Sequence, residues 1–358
     1  MIKYTFSTAR IVIASLAIVS FVLGAADAPR SRAATQANGF GYGFVMTGPE
    51  TGNPHNWGFN WMKVFNGPTS KPPAKTLYLI PVSAADVGNL SAVQQRVDDV
   101  MTQYGANIDA YEIGNEVNLS STFGWNASPV AADYKQVLCA AYDRIKYHST
   151  TALVVSAGLA NTGRVVGTYG GHLGSNGFSQ DEREYLKELI TAGAGSCLDF
   201  VGYHPFGFSA DFDATPDATG GTPETNCGTG LCFRSAAKLY DVMNDNGWGA
   251  KKMWATEMGW LITPPSACIT DLVAGDWSNR TWQSVTPEKQ ATNLVGAFNY
   301  ARANWPWMDA MFVFNLNFNM AGYYDVCNQM RYYSVLGNPA ETALHGLFNW
   351  YYMPLAMR

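Results

Sequence analysis

Apolar, β-branched and aromatic runs alternate along the chain with stretches whose apolar positions recur at helical spacing. The runs at 40–45, 61–65, 76–82, 108–113, 152–156, 198–204, 252–256 and 309–314 read as strands. Helices are expected at about 91–104, 130–147, 181–193, 233–246, 287–303 and 340–350. Ser91, Asp181 and Thr286-Pro287 look like helix starts. In the last, Pro occupies the first helical position, where its missing N–H is not needed. Eight strands with interleaved helices predict an α/β fold, a closed parallel (β/α)8 TIM barrel in a single domain. A doubly wound sheet is the alternative, but eight units in one chain favour closure.

The spacing of the elements gives a second argument. Segments leading from a helix to the next strand are short, at 148–151, 194–197 and 247–251. Segments leading from a strand to the next helix are long, at 117–129, 158–180, 205–232, 258–286 and 315–339. Barrel enzymes build their sites from the loops after the strands, so length concentrated on one rim is expected of that architecture. Asp109, Asp199 and Asp309 each stand where an even-numbered strand opens. They fall on the opposite rim, and we read them as structural. The Gly39, Gly41 and Gly43 alternation looks like a close-packed first strand.

Composition narrows the class. Charged residues make up 14% of the 358, against roughly 25% in average soluble proteins, while Gly (35) and Trp (11) run high. The net charge is −5, and no run of Lys or Arg offers a footprint for nucleic acid. Such a surface suits neutral polar partners.

At the N-terminus, Lys3 and Arg10 precede an apolar run from Ile11 to Leu23 and then Gly24, Ala25 and Ala26. That order is the one of a secretory signal peptide, and the run is shorter than the ~20 residues of a membrane span. We expect a signal peptide and short leader over 1–34 and a catalytic domain over 35–358. Cleavage after Ala28, after Ala26 or near Ala34 remains open. Six cysteines in an exported chain suggest up to three disulfides. Cys227 and Cys232 flank a tight Gly-Thr-Gly segment, Cys268 and Cys327 both fall in long late loops, and Cys139 and Cys197 are left over. Zinc is the alternative, but that close pair has no second close pair and no nearby His.

Two glutamates carry candidate chemistry. Glu116 ends Tyr111-Glu112-Ile113-Gly114-Asn115-Glu116-Val117-Asn118, and Glu257 lies in Met253-Trp254-Ala255-Thr256-Glu257-Met258-Gly259-Trp260. Each follows an apolar run directly, at the end of the fourth and the seventh predicted strand. Two carboxyls at the mouth of a barrel are the minimum apparatus for glycoside hydrolysis, one protonated to donate to the leaving oxygen and one ionised to attack.

These two motifs resemble the strand-four Asn-Glu and strand-seven nucleophile motifs of the clan A glycoside hydrolases, a superfamily of retaining barrel glycosidases that includes cellulase- and β-xylosidase-like enzymes. The resemblance covers the whole mature chain as architecture but only short motifs as sequence. It implies an exported retaining β-glycoside hydrolase acting on poly- or oligosaccharide, with Glu116 as acid/base and Glu257 as nucleophile. It implies that Asn115 contacts the sugar 2-hydroxyl and that His204, in Gly202-Tyr203-His204-Pro205-Phe206, bonds a carboxylate or a sugar hydroxyl. Val117 stands where the clan often has Pro. Phe206 stands where it often has Tyr, with Tyr203 as a possible replacement. The frequent strand-eight Trp is absent from Phe312-Val313-Phe314-Asn315-Leu316-Asn317, so that Asn315 or Asn317 is the expected substrate contact there.

Trp57, Trp125, Trp260, Trp277 and Trp282 fall in the long segments and are candidates for stacking on sugar faces, with Asn126 and Asn279 as polar neighbours. Trp260, next to the nucleophile motif, is the leading one. The five scattered histidines give no His-Glu-x-x-His, and neither a Gly-x-Ser-x-Gly elbow nor a phosphate loop occurs. We therefore expect no metal and no cofactor. We expect a carbohydrate substrate, no nucleic acid, no membrane contact once the signal is removed, and a monomer. A carbohydrate-binding barrel without catalysis, or a transglycosylase remodelling cell-wall glycan, would carry the same features.

Overall fold

A computed structural model describes residues 39–47, 54–165, 168–169, 172–220, 222, 225–270, 277, 280–320 and 322–348. The expected signal peptide lies outside them, and so do Asn279 and residues 349–358. Eight strands close a parallel barrel. Numbering only these, they are β1 Gly41–Val45, β2 Trp61–Val64, β3 Lys75–Ile80, β4 Ala110–Asn115, β5 Leu153–Ala160, β6 Phe200–His204, β7 Lys252–Met258 and β8 Met308–Val313. β8 returns to pair in parallel with β1, Gly41 opposite Ala310 and Phe44 opposite Val313. The helices are α1 Leu90–Tyr104, α2 Ala131–His148, α3 Glu182–Thr191, α4 Ser235–Asp245, the short α5 Ser266–Thr270, α6 Pro287–Asn304 and α7 Pro339–Gly346. The TIM barrel is thus present with every expected strand and helix. No α-helix is described between β1 and β2 or between β2 and β3.

Two of the three helix starts hold. The Asp181 carboxylate accepts from the N–H groups of Arg183 and Glu184, and the Thr286 hydroxyl accepts from Lys289. At α1 the cap is Asn89, not Ser91: its side chain accepts from the Ala92 N–H, and the helix begins at Leu90.

Alternation along each strand divides the core in two. Outward residues such as Tyr111, Ile113, Val201, Tyr203, Met253 and Ala255 meet the helices in the large cluster. Inward residues fill the lower barrel with apolar groups: Trp61, Leu77, Ala110, Val155, Trp254, Ala310 and Phe312. Trp254 packs between Trp61 and Phe200, its ring centroid 4.8 Å from each. Gly43 makes room for this filling, since a Cβ there would lie 2.3 Å from the Phe312 ring. One step up the same faces the chemistry changes. Trp61 gives way to Lys63, Ala110 to Glu112, Trp254 to Thr256, and Phe200, past Gly202, to His204.

The lower rim is closed by the three aspartates. Asp109 accepts from the Thr76 N–H on β3 (2.9 Å) and Asp199 from the Val154 N–H on β5 (2.8 Å). Asp309 takes the Trp254 indole N–H (3.3 Å) and pairs with Lys252 (2.7 Å) on β7. Each therefore ties an even strand to its predecessor.

Disulfides join Cys139 to Cys197, Cys227 to Cys232 and Cys268 to Cys327, as the sequence suggested. The first links α2 to the segment before β6. No helix among the described residues is long and apolar enough to cross a membrane.

Candidate active site

Glu112 and Glu116 share the inward face of β4 and its extension, because even-numbered positions there point into the barrel. Glu116 sits just past the strand with a φ of 42°, a left-handed backbone that is uncommon outside glycine. The conformation is held from both sides. Its N–H donates to Gly158 O at 3.0 Å, and its carbonyl accepts from the Leu119 N–H at 2.8 Å.

Glu257 reaches the same space by a different route. With Trp254 inward, strict alternation would turn Thr256 in and Glu257 out. The register between β7 and β8 slips between Ala255 and Met258, and this irregularity lets both residues face the interior. There Glu257 Oε1 lies 2.9 Å from Lys63 Nζ.

His204 stands between the glutamates. Its Nδ1 is 3.1 Å from Glu116 Oε1 and 3.8 Å from Glu257 Oε2, and its Nε2 is 3.1 Å from the Thr256 hydroxyl. Gly158 is required for this placement, since a Cβ there would lie 2.1 Å from His204 Nε2. The Glu116 and Glu257 oxygens nearest His204 are consequently within about 7 Å of one another.

The charges in this layer are shared. Lys63, fully buried, bridges Glu257 and Glu112, the latter at 2.6 Å. Burial works against the Lys63 ammonium, yet Glu112 and Glu257 hold its pKa above the ordinary lysine value. Burial likewise opposes the His204 imidazolium, but Glu257, Glu112 and Glu116 outweigh it and raise the pKa to about 9. Burial pushes the Glu112 carboxyl up, and Lys63 and His204 overcome this and hold it at about 2. The surrounding carboxylates thus favour the His204 imidazolium, with Nδ1 toward Glu116 and Nε2 toward Thr256.

The other expected site residues divide. The Asn115 amide donates to Phe123 O at 2.9 Å, which anchors the loop after β4 beside Glu116. Tyr203 is not part of the mouth. It is outward by alternation, buried, and its hydroxyl bonds Ser235 on α4 at 2.8 Å. Asn315 is at the end of β8, buried, and engaged by the loop that follows. Its amide donates to Met330 O, and its oxygen accepts from the Phe318 N–H and the Ser334 hydroxyl. Asn317 is buried too, bonded to Thr47. Trp260 is fully buried against Phe233, its indole N–H given to Ala210 O at 2.7 Å, so it offers no face to a ligand.

Of the remaining tryptophans, Trp125 and Trp277 are buried and Trp57 packs on the core. Trp282 is the exposed one of the five, at 53%, and stacks on Phe208 with the rings 5° from parallel.

Lys63, Glu112, Thr256 and Tyr333 belong to the site and were not singled out from the sequence. Glu112 was in plain view inside the quoted motif, at an even spacing from Glu116 that marks the same strand face. Lys63 had a weaker signal, a lone cation inside an apolar strand run. Tyr333 comes from the loop after β8 and packs on Phe206 and Phe314. Burial and the nearby Glu116 and Glu257 push its phenol well up despite Arg280. No group of side chains suited to a metal occurs among the described residues.

The chain is similar in structure to a family 39 glycoside hydrolase from the gut symbiont Bacteroides cellulosilyticus WH2, with a TM-score of 0.53, 16% identity, and 87% of this chain covered against 64% of that one. It is also similar to a glucosidase from Croceicoccus marinus, with a TM-score of 0.50, 13% identity, and coverage of 76% and 50%. The chain spans less than two thirds of the length of either. At these identities the likeness is one of fold, and it agrees with the barrel implied by the clan A resemblance. No protein-family model matches the chain. No curated protein shows significant similarity to it.

Proposed function

We propose that the chain is an exported, retaining β-glycoside hydrolase that cleaves poly- or oligosaccharide by double displacement. The observation that carries this reading is the convergence of Glu116 and Glu257, from β4 and β7, on the same ring nitrogen, Nδ1, of His204.

In the first step the Glu257 carboxylate attacks the anomeric carbon. The bond from that carbon to the glycosidic oxygen breaks, and the oxygen leaves with a proton from Glu116. In the second step Glu116 takes a proton from water, the water oxygen attacks the same carbon, and the Glu257 ester is released. Lys63 supports Glu257 as an anion and orients the oxygen it holds. His204 Nδ1, 3.1 Å from Glu116 Oε1, orients the carboxyl that donates to the leaving oxygen. The Asn115 side-chain oxygen is left to meet the sugar 2-hydroxyl, its amide being committed to Phe123. The Trp282–Phe208 pair offers an apolar face to a neutral sugar ring further along the chain of substrate. The three disulfides fit an oxidising compartment outside the cytoplasm.

The test is a panel of aryl β-glycosides and neutral polysaccharides, with the native chain and Glu257→Ala. The variant is expected to lose at least ~10⁴-fold in kcat and to recover turnover with azide or formate. An active native chain whose Glu257→Ala variant is undiminished would overturn the assignment, as would a native chain inert on the entire panel.

A further inference from the structure

One carboxylate in the upper barrel has no step in the reaction above. Glu112 is fully buried, two residues above Ala110 on the inward face of β4. Its Oε2 is 2.6 Å from Lys63 Nζ. Its Oε1 accepts the Gly158 N–H at 3.1 Å and lies 3.8 Å from His204 Nε2. Lys63 continues to Glu257 and His204 continues to Glu116. Glu112 thus touches both cations of the layer, and each cation touches one member of the reacting pair.

Taking a carboxylate out of water is costly, and an apolar side chain could fill this position as Ala110 does one step lower. A counter-ion for Lys63 alone would not need to sit beside His204 as well. We infer that Glu112 is a positioning residue for the hydrolytic pair, fixing the Glu257 carboxylate through Lys63 and the proton shared with Glu116 through His204. The inference rests on the glycosidase reading.

The titratable groups facing Glu112 are Lys63 from β2, His204 from β6, Glu257 from β7 beyond Lys63, and Tyr134 from α2. Tyr134 is occupied, its hydroxyl donating to Ile113 O and accepting from the Ala157 N–H. Removing one negative charge here favours the deprotonated form of every neighbour. The His204 titration should therefore move to lower pH, and the pH–rate profile should move with it.

The decisive variant is Glu112→Gln in the full secreted chain, read in two ways. The first is the pH titration of the His204 imidazole resonance, assigned by its loss in His204→Asn. The second is the pH profile of kcat/KM on an aryl glycoside. We expect the His204 midpoint to fall by about one pH unit or more and the bell to follow it, with kcat down ~10–100-fold and KM within about twofold. Should Glu112→Gln fail to fold, Lys63→Met combined with Glu112→Leu removes both charges of that pair, and Glu257, at the open mouth, loses Lys63. That double variant should fold and still lose at least ~10²-fold in kcat. An unmoved His204 midpoint in folded Glu112→Gln, or a double variant with native kcat and native pH profile, would overturn the inference. A shifted midpoint in a chain that cleaves no glycoside would instead overturn the glycosidase reading, and with it the catalytic part of this inference, leaving only the coupling of Glu112 to His204.

Discussion

The two rims of the barrel use the same chemistry to opposite ends. On the lower rim Asp109, Asp199 and Asp309 are 30%, 27% and 24% exposed, and each has a lysine of its own: Lys71, Lys146 and Lys252. Each also takes an N–H from the neighbouring strand. On the upper rim Glu112, Glu257 and Glu116 are 0%, 10% and 22% exposed, and the three share two cations. One-to-one pairing near water ties neighbouring strands together and contributes to stability. Shared pairing out of water couples the acids to one another, so that moving one proton is felt by all of them. That coupling is a liability in a scaffold and an asset in acid–base catalysis.

The comparison can be broken most forcefully at Glu116. Glu116→Gln is expected to lower kcat ~10²–10⁴-fold on glycosides with poor leaving groups and far less on dinitrophenyl glycosides, which need no protonation. Equal losses on both substrates would remove Glu116 from the acid role.

The next effect is on stability, and its sign follows from His204. Its folded pKa of about 9 lies above the ordinary 6.5, so the stabilisation is complete below about pH 6.5 and is lost as pH rises through about 9. The melting temperature should fall across that window by an amount equivalent to on the order of 2–3 kcal/mol, and His204→Gln should flatten the fall. A native curve already flat from pH 6 to 10 would contradict the shared-charge layer.

On the lower rim Asp199→Ala should cost about 1–2 kcal/mol in denaturant unfolding and leave kcat within about twofold. A large change in kcat without a change in stability would erase the distinction between the rims. The smallest effect is expected at Trp282. Trp282→Ala should weaken KM for a polysaccharide about fivefold and leave that for a single-sugar aryl glycoside unchanged.

Much of the barrel was legible because it is written in local periods. Alternating strands, helices with Asp181 and Thr286 as caps, and short helix-to-strand segments all depend on neighbours in sequence. Glu116 and His204 were legible for the same reason, since they end strands in the inward phase. The burial of Trp125, Trp260 and Trp277 was not legible because exposure is not a local property. Trp260 packs on Phe233 from the loop ahead of α4, and Trp125 on Tyr134 in the helix that follows it, contacts that hydrophobic period does not reveal. The engagement of Asn315 was hidden similarly, since only tertiary structure brings Met330 and Ser334 back to it.

The sequence by itself determined the order of eight strands, the rim that carries the long loops, and the two strand ends where Glu116 and Glu257 stand. These follow from hydrophobic period and segment length, which one stretch of chain settles alone. The tertiary structure decided which charges meet. Lys63 lies 194 residues from Glu257, and His204 lies 88 from Glu116. Only closure of the barrel makes them neighbours, and a slip in the β7–β8 register, absent from any local pattern, turns Glu257 toward them.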